Sequence, residues 1–149
     1  MTGVAFTDGI QYTFSDGTVL DAGKSLVLVV NETAFNAKYP NISADGIYSG
    51  RLRNEGERIA LSSPLKELFT VTYNNKKPWP AATEGKGFTL VLKDTGKNSD
   101  PDDPLNWRVS TKPGGSPGES DPDPMQDTDA DTLPDSWEFL HFNNLEHSA

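Results

Sequence analysis

The sequence predicts an all-β fold, a sandwich or barrel of short strands, carrying a polar appendage at its C-terminal end. Three observations predict it. Short apolar stretches alternate with polar residues at a period of two, clusters of Gly, Asn and Asp punctuate them, and little of the chain repeats at a helical period. A parallel α/β fold would place a helix between successive strands, and the sequence reads as lacking those helices.

The elements follow in order. Ile10, Tyr12 and Phe14 alternate with polar residues as a half-buried strand does, and Ser15-Asp16-Gly17 reads as the turn after it. Residues 25–30, apolar from Leu26 onward, form a run suited to a strand covered on both faces. Asn31 is placed as a helix N-cap for one or two turns over residues 32–39, which Pro40 stops. Asn54-Glu55-Gly56 predicts a hairpin between residues 49–53 and 58–61. Phe69, Val71 and Tyr73 alternate again, and Asn74-Asn75-Lys76-Lys77 is a polar turn. Phe88, Leu90 and Leu92 make the next strand after a bend at residues 85–87, and a last short one spans 106–110 with Trp107 and Val109. Trp79 and Trp107 are expected to fill the core or pack at corners; the alternative makes them a surface platform for stacking sugars. Asp100, Asp102 and Asp103 before Pro104 read as a surface turn.

Composition bounds the function. The 149 residues fit one ordinary domain plus extra sequence. Only 34% of them are hydrophobic, and the deficit is local: residues 3–110 carry nearly all the apolar runs and 111–135 almost none. A net charge of -9 disfavours nucleic acid and anionic membranes and favours divalent cations wherever carboxylates cluster. Without cysteine there are no disulfides, thiolate zinc sites or cysteine nucleophiles. The longest apolar run, 26–30, is of strand length, so no membrane insertion is expected. Met1-Thr2-Gly3-Val4 lacks the features of a signal peptide, which implies a processed chain or an internal piece of a longer protein.

Residues 111–125 are rich in Pro, Gly and Asp and have no apolar face, so they are expected to be a linker. Trp137, Phe139, Leu140 and Phe142 are then spaced for a short helix, with Pro134 near its start and Asn143-Asn144 at its end. The organisation expected is a sandwich over 1–112, a linker over 113–126, and an ion-binding loop with a short helix over 127–149.

The sharpest chemical signal lies in that last segment. With Asp127 as the first position, Asp129, Asp131, Asp135 and Glu138 fall at the third, fifth, ninth and twelfth, and Leu133 supplies a backbone carbonyl at the seventh. These are the ligand positions of a calcium loop, because alternate residues of a tight turn aim oxygens inward and the last Glu closes the shell from a helix. Calcium is therefore the expected cofactor. Thr132 stands where a glycine would make the sharp turn, at a cost of about 1 kcal/mol. Binding is expected on the order of 10⁻⁴–10⁻³ M, the extracellular regime, which argues for export. The bland alternative is a solvated acidic tail.

Nothing selects a catalytic centre. His141 and His147 both lie in the tail, no Gly-x-Ser-x-Gly or phosphate-binding Gly-Lys-Ser/Thr element occurs, and no carboxylate pair stands out among the 22 acidic residues. A non-enzyme is expected.

Two resemblances sharpen these expectations. Residues 3–118 resemble a lamin-tail domain of bacterial surface proteins. The resemblance rests on residues 3–10, Asp16-Gly17-Thr18-Val19-Leu20, residues 26–31 with Phe35, and Tyr48-Ser49-Gly50 with Gly56-Glu57. It continues through Trp79-Pro80, Asn106-Trp107 and Gly115-Ser116-Pro117-Gly118. It implies an immunoglobulin-like β-sandwich. It also implies one or two strands upstream of Gly3 that this sequence lacks, which favours a fragment over strands supplied by a partner. Residues 127–138 resemble the Asp-rich calcium repeats of secreted bacterial proteins, in the style of thrombospondin type 3 and dockerin loops, which often act in pairs or arrays. Together they imply a structural or adhesive module, secreted or at the cell surface, with neighbouring domains and a protein or glycan partner left open. The alternatives are a carbohydrate-binding module and an accessory domain of an extracellular hydrolase.

Overall fold

The computed structural model describes residues 1–80, 85–95, 99–129 and 131–142, the side chains of 139 and 140 excepted. The expected helix end at Asn143-Asn144 and His147 lie outside the described residues. Strands dominate, most of them in one antiparallel sheet, and the chain divides into two compact units, Met1–Asn75 and Lys76–Ala149.

The first unit is built on five antiparallel strands in the order β5-β2-β1-β6-β7: β1 Ala5–Asp8, β2 Ile10–Thr13, β5 Ser49–Gly50, β6 Gly56–Ser62 and β7 Glu67–Asn74. The alternation read from the sequence is its inward face. Ile10, Phe14 and Val71 are buried, and Phe69, Val71 and Tyr73 stand opposite Leu61, Ile59 and Glu57. Phe14 packs edge-on against Tyr12 with ring centroids 4.9 Å apart. Arg58 reaches Asp8 at 3.2 Å and also pairs with Glu67, tying β1, β6 and β7 together on the exposed side.

Two local expectations changed. Asn54 and Glu55 do turn, closed by the Gly56 amide on the Arg53 carbonyl at 3.3 Å, but the flanking strands do not pair with each other. β5 pairs with β2, and β6 with β1 and β7. The reason is steric and polar. Gly56 has φ 115°, a Cβ there would lie 2.3 Å from the Tyr73 carbonyl oxygen, and the Tyr73 hydroxyl donates to the Arg53 carbonyl at 2.7 Å. The close approach therefore belongs to β7. Burial, followed by the charge of Glu57, pushes the Tyr73 phenol up to about 12.

The apolar run 25–30 contributes only β3, Leu28–Val29, and Val30 is exposed. β3 pairs in parallel with β4, Gly46–Ile47, through a crossover that carries helix α1, Glu32–Lys38. The helix was expected, whereas the parallel pairing across it was not. Asn31 caps that helix as expected, its side chain accepting from the Ala34 amide at 2.9 Å.

In the second unit β8, Leu90–Leu92, and β9, Trp107–Val109, form an antiparallel pair with Leu90 opposite Val109 and Leu92 opposite Trp107. Trp79 is 5% exposed and lies against Trp107, centroids 6.0 Å apart, while the Trp107 indole donates to the Pro101 carbonyl at 2.8 Å. Both tryptophans serve packing, and neither offers an open platform. The Asp100 cluster is a surface turn: Asp100 accepts from the Asp102 amide, and Asp103 caps the single 3-10 turn Pro104–Asn106.

Residues 111–122 differ from the bare linker expected of them. Thr111 and Ser110 are buried, and Asp121, its side chain only 3% exposed, collects bonds from several directions. Its carboxylate accepts from Arg108, from the Thr111 amide at 3.0 Å and from the Ser116 hydroxyl at 3.2 Å. Arg108 also donates to the carbonyls of Asp121 and Pro122. Apolar surface is the wrong measure here, because a buried charge-assisted network orders the segment instead.

Candidate metal centre

The acidic segment forms a tight loop leading into helix α2, Asp135–His141. The carboxylates of Asp127 and Asp131 each spend one oxygen on the loop's own backbone. Asp127 Oδ2 accepts from the Thr132 amide at 2.9 Å, and Asp131 Oδ1 from the Leu133 amide at 2.8 Å. The remaining oxygens, Asp127 Oδ1 and Asp131 Oδ2, are buried without a hydrogen-bond partner. Ligand atoms of Asp127, Asp129 and Asp131 lie within 4.8 Å of one another. Thr132 takes φ 80°, the left-handed turn its position requires, despite being β-branched.

Glu138 comes in from the helix. It is 0% exposed, and neither of its carboxylate oxygens has a hydrogen-bond partner. Burial pushes its carboxyl up, and the negative charges of Asp129, Asp131, Asp135 and Asp127 push it further the same way. An unpaired carboxylate so placed is strongly unfavourable unless a proton or a cation meets it.

Of the residues expected at the site, Asp127, Asp129 and Asp131 are brought together, and Glu138 is buried in their field. Asp135 is occupied otherwise: its two oxygens accept from the Thr128 amide at 2.7 Å and the Thr128 hydroxyl at 2.6 Å, clasping the loop across seven residues. Leu133 enters the geometry through its amide. Sequence spacing gave no signal for Thr128, whose role depends on the loop being closed. The Ser136 hydroxyl donates to the Pro124 carbonyl at 2.7 Å, and the Asp135 amide to the Gln126 carbonyl at 2.7 Å, fixing the helix start to the chain entering the loop. Trp137, 40% exposed, stacks on His141 at 4.3 Å, so this histidine lies on the helix surface.

The aspartate cluster can hold a metal ion. An all-carboxylate donor set suits a hard cation, which would meet the orphaned oxygens and cancel the repulsion among them. No helix among the described residues is long and apolar enough to cross a membrane. Compared with known proteins, the chain matches no family model, no curated protein and no solved structure.

Proposed function

We propose that this chain is a non-catalytic structural or adhesive module of a secreted or cell-surface protein, and that its 127–138 loop binds calcium to stiffen the connection toward a following domain. One observation carries the reading: four buried carboxylate oxygens on Asp127, Asp131 and Glu138 lack any partner, and Asp129 lies among them. A buried carboxylate with both oxygens available, entering from a helix, suits the large and flexible coordination shell of calcium better than the small octahedral shell of magnesium. The Leu133 carbonyl completes the proposed ligand set, and Asp135 acts through the Thr128 clasp.

For the β-rich part, the reading keeps the lamin-tail resemblance and its immunoglobulin-like sandwich. The five-stranded antiparallel sheet supports one layer of such a fold. A carbohydrate-binding role is less favoured, because Trp79 is buried and Trp107 is engaged with Pro101.

A terbium titration tests the site, with exposed Trp137 as the sensitising chromophore. Sensitised emission that calcium displaces, and that Asp129→Ala abolishes, is the expected result. Emission absent, or indifferent to Asp129→Ala, sinks the reading.

A further inference from the structure

Asp121 and Arg108 lie outside the acidic loop, yet they hold the chain that leads into it. Arg108 belongs to β9. Its guanidinium pairs with the buried Asp121 carboxylate and reaches the carbonyls of Asp121 at 3.2 Å and Pro122 at 3.1 Å. Two residues further on, the Asp123 carboxylate accepts from the Met125 amide, and its carbonyl from the Gln126 amide. Pro124 and Gln126 are the residues onto which Ser136 and Asp135 close. A continuous run of hydrogen bonds therefore leads from β9 through 121–126 to the first turn of α2, which carries Glu138.

Beside this run lies a cleft of about 400 Å³, lined among others by Phe88, Val109, Pro124, Ser136 and Trp137. Leaving either partner of this buried pair unmet is strongly destabilising, so Arg108 and Asp121 are held or released together.

We infer that Asp121, latched by Arg108, is a positioning residue that couples the ion loop to the β8–β9 pair, so that filling the loop orders the pair and breaking the latch weakens ion binding. The inference rests on the ion-binding reading above. The latch holds the strap 121–126 in most molecules before the ion arrives, so little of the ion's binding energy is consumed in ordering it, and binding draws the remaining open fraction closed. With the latch open, only the fraction of molecules with the strap in place binds, and affinity falls by that fraction.

Hydrogen exchange followed by mass spectrometry on the full chain, with calcium, with magnesium alone and in chelator, tests it beside the terbium titration. In the wild type, peptides covering 107–122 should gain protection with calcium and not with magnesium. In Asp121→Asn, which keeps the side chain's shape, calcium should no longer alter exchange in 107–112, and terbium affinity should fall by about threefold to tenfold. Ser136→Ala cuts the far end of the run and should do the same while leaving the Arg108 pair intact, which keeps the test valid where Asp121→Asn unfolds the unit. If terbium binds the wild type and exchange in 107–122 ignores calcium, the coupling is refuted and the ion site stands. Full terbium affinity in both variants refutes it as well. If terbium does not bind at all, the ion reading falls and takes the coupling with it.

Discussion

Thr132→Gly is the most informative single substitution. Thr132 sits at φ 80° in the turn between Asp131 and Leu133, and its amide donates to Asp127 Oδ2 at 2.9 Å. A glycine keeps that amide and that bond. It removes the clash between Cβ and the backbone that makes the left-handed region costly, about 1–2 kcal/mol for an ordinary residue. Against this stands the added freedom of a glycine chain when the loop is open, about 0.4–1 kcal/mol. The net gain is about 0.5–1 kcal/mol. To the extent that the ion orders the loop, the gain appears in binding, as a dissociation constant about twofold to fivefold lower. Terbium titration of the wild type, Thr132→Gly and Thr132→Ala in one buffer measures it. Alanine keeps the Cβ, and hence most of the strain, so it should stay near the wild type. A glycine variant that binds no tighter than the alanine variant would refute the claim that this turn is strained by its side chain.

Three further outcomes are expected. The raised Glu138 carboxyl must lose its proton to accept a cation, so calcium affinity should fall as pH drops through that raised value. The same shift runs oppositely without metal: a folded-state value above the unfolded one contributes stability at low pH that is lost as pH rises through it, so the metal-free second unit should melt higher under mildly acid conditions than at neutrality, as thermal scans in chelator would show. Circular dichroism at 222 nm should gain helix on adding calcium and lose it on chelation, because cancelling the repulsion around Glu138 releases α2 to form; an identical signal in chelator contradicts this. Trp79→Ala, which empties a site only 5% exposed against Trp107, should cost about 3–5 kcal/mol in denaturant unfolding of the Lys76–Ala149 unit.

What was legible in the sequence follows from how local each signal is. The Asn31 cap and the turn at Asp100–Asp103 are decided within three residues, and both stand in the structure. The period-two alternation of Phe69, Val71 and Tyr73 shows in their burial for the same reason. The acidic spacing placed Asp127, Asp129 and Asp131 together, and the missing glycine was visible as Thr132. Pairing choices were not legible. Nothing local says that β6 should take β1 and β7 as neighbours, or that β3 should find β4 across α1, since those choices depend on what distant parts of the chain bring against each position. Gly46 is one such place: a Cβ there would fall 2.2 Å from the Tyr12 hydroxyl, thirty-four residues away in sequence. Asp121 was hidden by a different rule. A scan for apolar surface sees residues 111–125 as empty, whereas what orders them is a charge whose partner, Arg108, is thirteen residues back.

Arg58 has a meaning beyond the attraction it supplies. It is 40% exposed, so its pairs with Asp8 and Glu67 are softened by water and by salt and add little to the free energy of the sheet. Their value is as an alignment check. β1 meets β6 through an irregularity between Phe6 and Asp8, where a slip by one residue is the natural error. Such a slip would turn Asp8 and Arg58 to opposite faces, so the misaligned sheet forfeits that contact. A guanidinium too wet to strengthen the native ladder can still make the mistaken one less competitive.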